Sequence, residues 1–218
     1  MGRGIKSEGH AAMKPNRREA ALLIIDMQNN LCHPAGAFAT ELGFDIGSCV
    51  AAKDRCAHLV ETARSIDLCV IHTRAEFLPD YADAGVVLRE VLDDRMRSSG
   101  SLVAGTWQTE IASELGPAPT DYVILKNRSS AFYGTQLEPL IRSLGVRKLT
   151  ICGVSTSCCV ESTARDAVER GYSVTVAADA TAELDEEMYE FTLATLQEDF
   201  CRVAKVSDIL DEWEAFRR

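Results

Sequence analysis

Residues 20–26 read Ala-Ala-Leu-Leu-Ile-Ile-Asp, an apolar run without alternation that closes on a carboxylate. A strand with one face in water alternates apolar and polar side chains. A run without alternation is buried on both faces, which is the habit of parallel sheets covered by helices on each side. Segments of the same kind recur at Ile66–Thr73, Tyr122–Lys126, Lys148–Val154 and Tyr172–Ala178, with a shorter one at Cys201–Lys205. Between them the period changes. Cys49, Ala52, Cys56, Leu59, Val60 and Ala63 recur at helical spacing, and Thr135 with Glu138 has the spacing of a capping box opening a helix to about Ser143. A helix over 157–170 is closed by Gly171, one over 184–198 is led by Asp185, Glu186 and Glu187, and Ser207 starts a terminal helix. This alternation predicts one α/β domain over residues 20–218, a three-layer α/β/α arrangement around a six-stranded, mainly parallel, Rossmann-like sheet. The pattern leaves the strand order open.

Residues 1–19 are rich in Gly, Lys and Arg, contain Pro15 and show no period, so they read as a flexible tail. They also lack the apolar core of a signal peptide. No apolar run approaches the ~18–20 residues of a membrane-spanning helix. The formal charge of −10 over 218 residues argues against nucleic acid, whose binders carry a basic face. Eight cysteines without a C-x-x-C or paired Cys/His clusters fit neither a disulfide framework nor a zinc site, and point to a reducing compartment. The expectation is a soluble, cytoplasmic protein acting on a small molecule.

In sheets of this kind ligands bind beyond the C-terminal strand ends. The first strand ends on Asp26, the second on His72-Thr73-Arg74, the third on Lys126, and the fourth runs into Gly153-Val-Ser-Thr-Ser-Cys-Cys159. A carboxylate, an amine and a thiol at three such ends can make an activated nucleophile. Asp26 would take the thiol proton and Lys126 would favour the anionic forms of both neighbours. Cys159 falls in the first turn of the following helix, where the helix dipole and unsatisfied N–H groups lower a thiol pKa and hold an oxyanion. Gly153 permits the tight turn. Cys158 reads as a small buried hydrophobe, and His10, His33 and His58 as ordinary tail, loop and helix residues. The irregular stretch 74–118 reads as a binding wall.

Asp26-Met-Gln28, Lys126 and Gly153-Val-Ser-Thr-Ser-Cys-Cys159-Val-Glu-Ser-Thr163 resemble, in order, the three signatures of the isochorismatase-like cysteine hydrolases, and the likeness covers about residues 20–210. The resemblance implies Cys159 as nucleophile, Asp26 as general base and Lys126 as the third member of a triad. It also implies a cis peptide before Ser155, an oxyanion hole of the Ser155 and Cys159 amides, and a homodimer or homotetramer. Members that cleave a vinyl ether lack the nucleophilic cysteine, so its presence favours amide hydrolysis. Nicotinamidase-type members bind a metal through an Asp-x-His and a further His, whereas here the segment reads His72-Thr-Arg-Ala-Glu-Phe77, and no metal or other cofactor is expected. Ile71-His-Thr-Arg74 with Pro79-Asp80, Lys126-Asn-Arg-Ser-Ser-Ala-Phe132 and Leu196-Gln197 are most similar to the biuret hydrolases and ureidoacrylate amidohydrolases. Arg74, Arg128 and Gln197 are therefore candidate polar contacts to a small amide or ureido substrate, and Phe132 a candidate pocket wall. A nicotinamidase-like aromatic amidase and a non-catalytic binding protein on the same fold are the alternatives.

Overall fold

The computed structural model describes residues 17–86, Glu90 and residues 94–217. Six strands form one sheet: β1 (Ala20–Ile25), β2 (Cys69–Ala75), β3 (Tyr122–Lys126), β4 (Lys148–Val154), β5 (Ser173–Ala182) and β6 (Arg202–Ala204). Their order is β3-β2-β1-β4-β5-β6, and every neighbouring pair is parallel. The sheet is thus wholly parallel, where the sequence led us to expect a mainly parallel one.

All six residues of β1 are buried, because each face of this central strand meets a separate apolar layer. Leu22 and Ile24 pack with α3 (Gly47–Ser65) and with Ile209 and Trp213 of α8 (Val206–Glu214). Leu23 and Ile25 pack on the other face with α5 (Leu137–Ser143), α6 (Glu161–Glu169) and α7 (Glu186–Asp199). Full burial of one such aliphatic side chain contributes about 1.5–3 kcal/mol, so neither face tolerates a polar residue. The smaller helices α1 (Asn29–Cys32), α2 (Ala37–Thr40) and α4 (Asp94–Ser98) belong to the connections.

Several element boundaries differ from the sequence reading for local reasons. The second strand starts at Cys69 rather than Ile66, because the preceding residues end α3. Asp67 takes φ 52° and the Leu68 N–H donates to the Ala63 carbonyl at 2.9 Å, the bond of a Schellman-type helix end. The capping box expected before α5 does not form: the N-cap is Gln136, without a side-chain cap, Thr135 Oγ1 accepts from the Leu137 N–H at 3.1 Å, and Glu138 pairs with Arg142 and Arg170. Asp185 does cap α7, accepting from the Met188 N–H at 2.9 Å. Residues 1–16 of the expected tail lie outside the described residues, and Arg17–Glu19 form a 3₁₀ turn leading into β1.

The long connection from β2 to β3 crosses the C-terminal ends of the strands as short turns, among them Trp107–Thr109 and Ser113–Leu115. It is tied down by isolated bridges, Gln28 to Ile111 and Phe77 to Val103. Residues 87–89 and 91–93 of it lie outside the described residues. All eight cysteines are free, and no described helix is long and apolar enough to cross a membrane.

The chain builds β1, β2 and β3 outward in one direction and then returns to place β4 on the other side of β1. Strand order therefore reverses between β1 and β4, and that crevice is where a parallel sheet opens toward a ligand.

Candidate active site

Asp26 stands one residue beyond β1, in the left-handed region at φ 48°, and is 4% exposed. Its N–H donates to Thr73 Oγ1 at 3.0 Å, and the Thr73 hydroxyl donates to Asp26 Oδ1 at 2.6 Å. Oδ2 faces Lys126, whose Nζ is 2.6 Å away. Lys126 ends β3, two strands from β1, and pairs in register with Ala75, a small residue at the tip of the intervening β2. The lysine side chain reaches across that tip. Its ammonium also donates to the Arg128 carbonyl at 3.0 Å and to Cys159 Sγ at 3.3 Å. The ammonium's three protons thus meet three acceptors, with Asp26 and Lys126 buried and Cys159 partly exposed.

Cys159 follows the end of β4. Gly153, at φ 117°, sits so close to β1 that a Cβ there would stand 2.1 Å from the Ile25 carbonyl oxygen. Only glycine lets the two strands approach in this way. The Val154–Ser155 peptide bond is cis, and residues Thr156–Val160 form one π-helical turn before α6. Glu183, just past β5, anchors this turn: its Oε2 accepts from the Ser157 N–H at 3.0 Å and from the Ser157 hydroxyl at 2.6 Å.

The electrostatics of the cluster are coupled. Burial alone would lower the Lys126 pKa, but the Asp26 charge and the Cys159 sulfur outweigh it and hold the ammonium above the ordinary lysine range. The neighbouring Cys158 sulfur and burial push the Cys159 thiol well above its ordinary value; Lys126 pulls it down and the Asp26 charge pushes it up. The adjacent Cys158 is lowered to about 6, chiefly by its contact with Cys159 and, against burial, by Ser129 and Lys126. The direction of the Cys159 shift is opposite to the lowering expected from a helix N-terminus, because the adjacent sulfur, burial and the Asp26 carboxylate outweigh Lys126. Cys158 is also exposed rather than buried as the sequence reading had it, with Sγ 3.4 Å from Ser129 Oγ.

The four residues read as substrate contacts are dispersed. Arg74 Nη2 pairs with Glu76 Oε2 at 3.0 Å near the β2 tip. Arg128 Nη1 donates to the Asp83 and Asn127 carbonyls, each at 2.6 Å, and so binds the 83–85 loop to the end of β3. Phe132 is 5% exposed and belongs to the core, with its ring 6.0 Å from that of Tyr172 and Arg170 over it. Gln197 lies near the C-terminal end of α7, where its Oε1 accepts from the Val203 N–H of edge strand β6 at 2.6 Å. The structure brings neither Phe132 nor Gln197 to the cluster of Asp26, Lys126 and Cys159. His72 lies within β2 at 1% exposure, with Nε2 3.4 Å from Asp121 Oδ2. No group of three or more His, Cys, Asp or Glu side chains is arranged to hold a metal among the described residues.

Sequence reasoning missed the supports. Gln28 is fully buried; its Nε2 donates to the Ala75 and Thr109 carbonyls at 2.8 and 2.9 Å, and its Oε1 accepts from the Ala75 N–H at 2.8 Å. It thereby ties the loop after Asp26 to β2 and to the connection above it. Thr73 lies on β2 and Glu183 just past β5, strands whose neighbours the sequence did not reveal. A cavity of about 250 Å³ opens beside the β3 end, lined by Glu76, Leu78, Asp83, Ala104, Lys126 and Asn127 among others. Its small size suits a ligand of few atoms.

The sequence profile of the isochorismatase domain matches residues 20–208. The chain belongs to the isochorismatase family. Its similarity to the ureidoacrylate amidohydrolase of Azorhizobium caulinodans is 34% identity over 173 residues, covering 75% of this chain and 76% of that protein. This isochorismatase-family fold also superposes on a cysteine hydrolase from Pseudomonas syringae pv. phaseolicola with a TM-score of 0.83 at 25% identity, over 96% of this chain and 99% of that one. The N-carbamoylsarcosine amidase of Thermoplasma acidophilum is similar at a TM-score of 0.70 and 25% identity, covering 86% of this chain and 96% of that one.

Proposed function

We propose that this chain is a cofactor-independent cysteine amidohydrolase cleaving a C–N bond of a small ureido or carbamoyl compound through a thioester. The observation that carries the reading is the Lys126 ammonium, shared between Asp26 Oδ2 at 2.6 Å and Cys159 Sγ at 3.3 Å. The names of the similar ureidoacrylate amidohydrolase and N-carbamoylsarcosine amidase support the substrate class.

In this reaction Asp26 takes the Cys159 proton as the sulfur attacks the carbonyl carbon, and Lys126 turns its charge from carboxylate to thiolate. The C–S bond forms while the carbonyl π pair moves to oxygen, which is held by the Ser155 and Cys159 N–H groups. Collapse of the adduct breaks the C–N bond, and the leaving nitrogen takes the proton from Asp26. Water then adds to the thioester with Asp26 again as base, the C–S bond breaks, and the thiol is restored.

The test is ammonia release from biuret, ureidoacrylate, N-carbamoyl amino acids, maleamate and nicotinamide, with Cys159→Ala as the blank. Release from a ureido or carbamoyl compound that disappears in the mutant is the expected result. Turnover that survives Cys159→Ala, or silence across all the ureido and carbamoyl compounds, overturns the reading.

A further inference from the structure

Asp26 stands in the left-handed region, its carbonyl accepting from the Gln28 N–H at 2.7 Å, and one side chain grips both its N–H and its carboxylate. The Thr73 hydroxyl accepts from the Asp26 N–H at 3.0 Å and donates its single proton to Asp26 Oδ1 at 2.6 Å. One group thus fixes both the main chain, at φ 48°, and the carboxylate of the same residue. Thr73 is 1% exposed, so water cannot substitute for it. It lies on β2, whose other neighbour β3 ends on Lys126, so its position is set by the same sheet that carries the ammonium.

We propose that Thr73 is a positioning residue for the general base, holding Oδ1 as a permanent acceptor and reserving Oδ2 for the proton that leaves Cys159. The inference rests on the amidase reading above. A carboxylate oxygen has two lone pairs. On Oδ1 the Thr73 hydroxyl takes one and fixes the rotation of the group. On Oδ2 the Lys126 ammonium takes one and leaves the other for a proton. Transfer of the thiol proton to Oδ2 weakens the bond to Lys126 and frees its charge for the new thiolate. A carboxylate without Thr73 turns about its Cβ–Cγ bond and loses a hydrogen bond given to its charged form.

The titratable groups facing Asp26 are Lys126 from β3, Cys158 and Cys159 from the turn after β4, and Cys32 from α1. A pH limb therefore belongs to the set rather than to one residue. In Thr73→Val, kcat on the active ureido compound is expected to fall about 10- to 100-fold with KM nearly unchanged, and the acid limb to move up by about one pH unit. Thr73→Ser, which keeps the hydroxyl, restores both. A second readout needs no substrate: the pH dependence of Cys159 alkylation, mapped by mass spectrometry in a Cys158→Ser background, shifts the same way. An unmoved limb in Thr73→Val, with any activity loss matched by loss of folded protein, overturns the proposal. If no ureido compound is turned over but the alkylation limb still moves, the amidase reading fails while the role of Thr73 stands.

Discussion

The Lys126 ammonium lies 2.6 Å from Asp26 Oδ2 with the two side chains only 1% and 5% exposed. A pair so thoroughly removed from water costs several kcal/mol to desolvate and holds only while both charges are present. Lys126→Met is therefore expected to destabilise the fold by about 3–5 kcal/mol, because it strands a buried carboxylate. Adding Asp26→Leu to the same chain should recover much of that loss without restoring turnover. Denaturant titration of the single and double variants checks this; a double variant no more stable than Lys126→Met contradicts it.

Cys158 is the thiol to modify first. It is exposed and lowered to about 6, whereas burial holds Cys32, Cys49 and Cys56 above the ordinary range. Alkylation should reach half its maximal rate near pH 6 and map to Cys158 by peptide mass spectrometry. Labelling led by any buried cysteine would refute the assignment.

Gly153→Ala should be among the most damaging single changes in the chain. The added methyl would sit 2.1 Å from the Ile25 carbonyl oxygen, at a φ of 117° that side chains rarely adopt. The expected cost is about 3 kcal/mol or more, roughly 10 °C in Tm for a chain of this length. Calorimetry decides, and a variant as stable as the parent would show that β1 and β4 can part.

Stability should decline as pH falls from 7 toward 5. Burial holds His72 below its ordinary value of 6.5, against the pull of Asp121. The unfolded chain then binds a proton that the native state refuses, so stability is present above the unfolded pKa and lost below it. Asp121 is also lowered: burial opposes the shift, and Arg64 together with the Ala118 N–H outweighs it. Its contribution persists above the ordinary carboxylate pKa of about 3.8 and is lost in stronger acid. In His72→Phe the decline between pH 7 and 5 should flatten, and denaturant titration at several pH values reads it directly. An equally steep decline in that variant would remove His72 from the account.

Strands β1 and β4 were readable because burial on two faces leaves no alternation. β3 falls where its apolar run is, but as an edge strand it leaves Tyr122, Val123 and Leu125 exposed, so its lack of alternation did not mean burial on both faces. The chemistry-bearing ends were readable from the same runs: Asp26 and Lys126 are the residues at which those runs stop. What could not be read was adjacency. Nothing local in Thr73 announces that it faces Asp26, and that contact exists only because β2 pairs with β1. Phe132 and Gln197 failed as pocket residues on the same ground. Their neighbours, Tyr172 and Val203, lie far along the chain or on the opposite side of a helix end. The direction of the Cys159 shift was missed because a helix N-terminus is read locally, while the way the Cys158 sulfur packs on it, its burial and the approach of Asp26 from another strand are set by the fold.

The close approach of β4 to β1, one residue below Asp26, is set by the contact of Gly153 with Ile25. The β2–β3 connection meets the site at a few points, chiefly Thr109 and Ile111 against Gln28. Substitutions elsewhere between residues 76 and 118 can reshape what enters while the strand ends that carry Asp26 and Cys159 keep their register. A lineage built on this plan can exchange one substrate for another by point changes above the sheet, and library searches for new amidase specificities belong there.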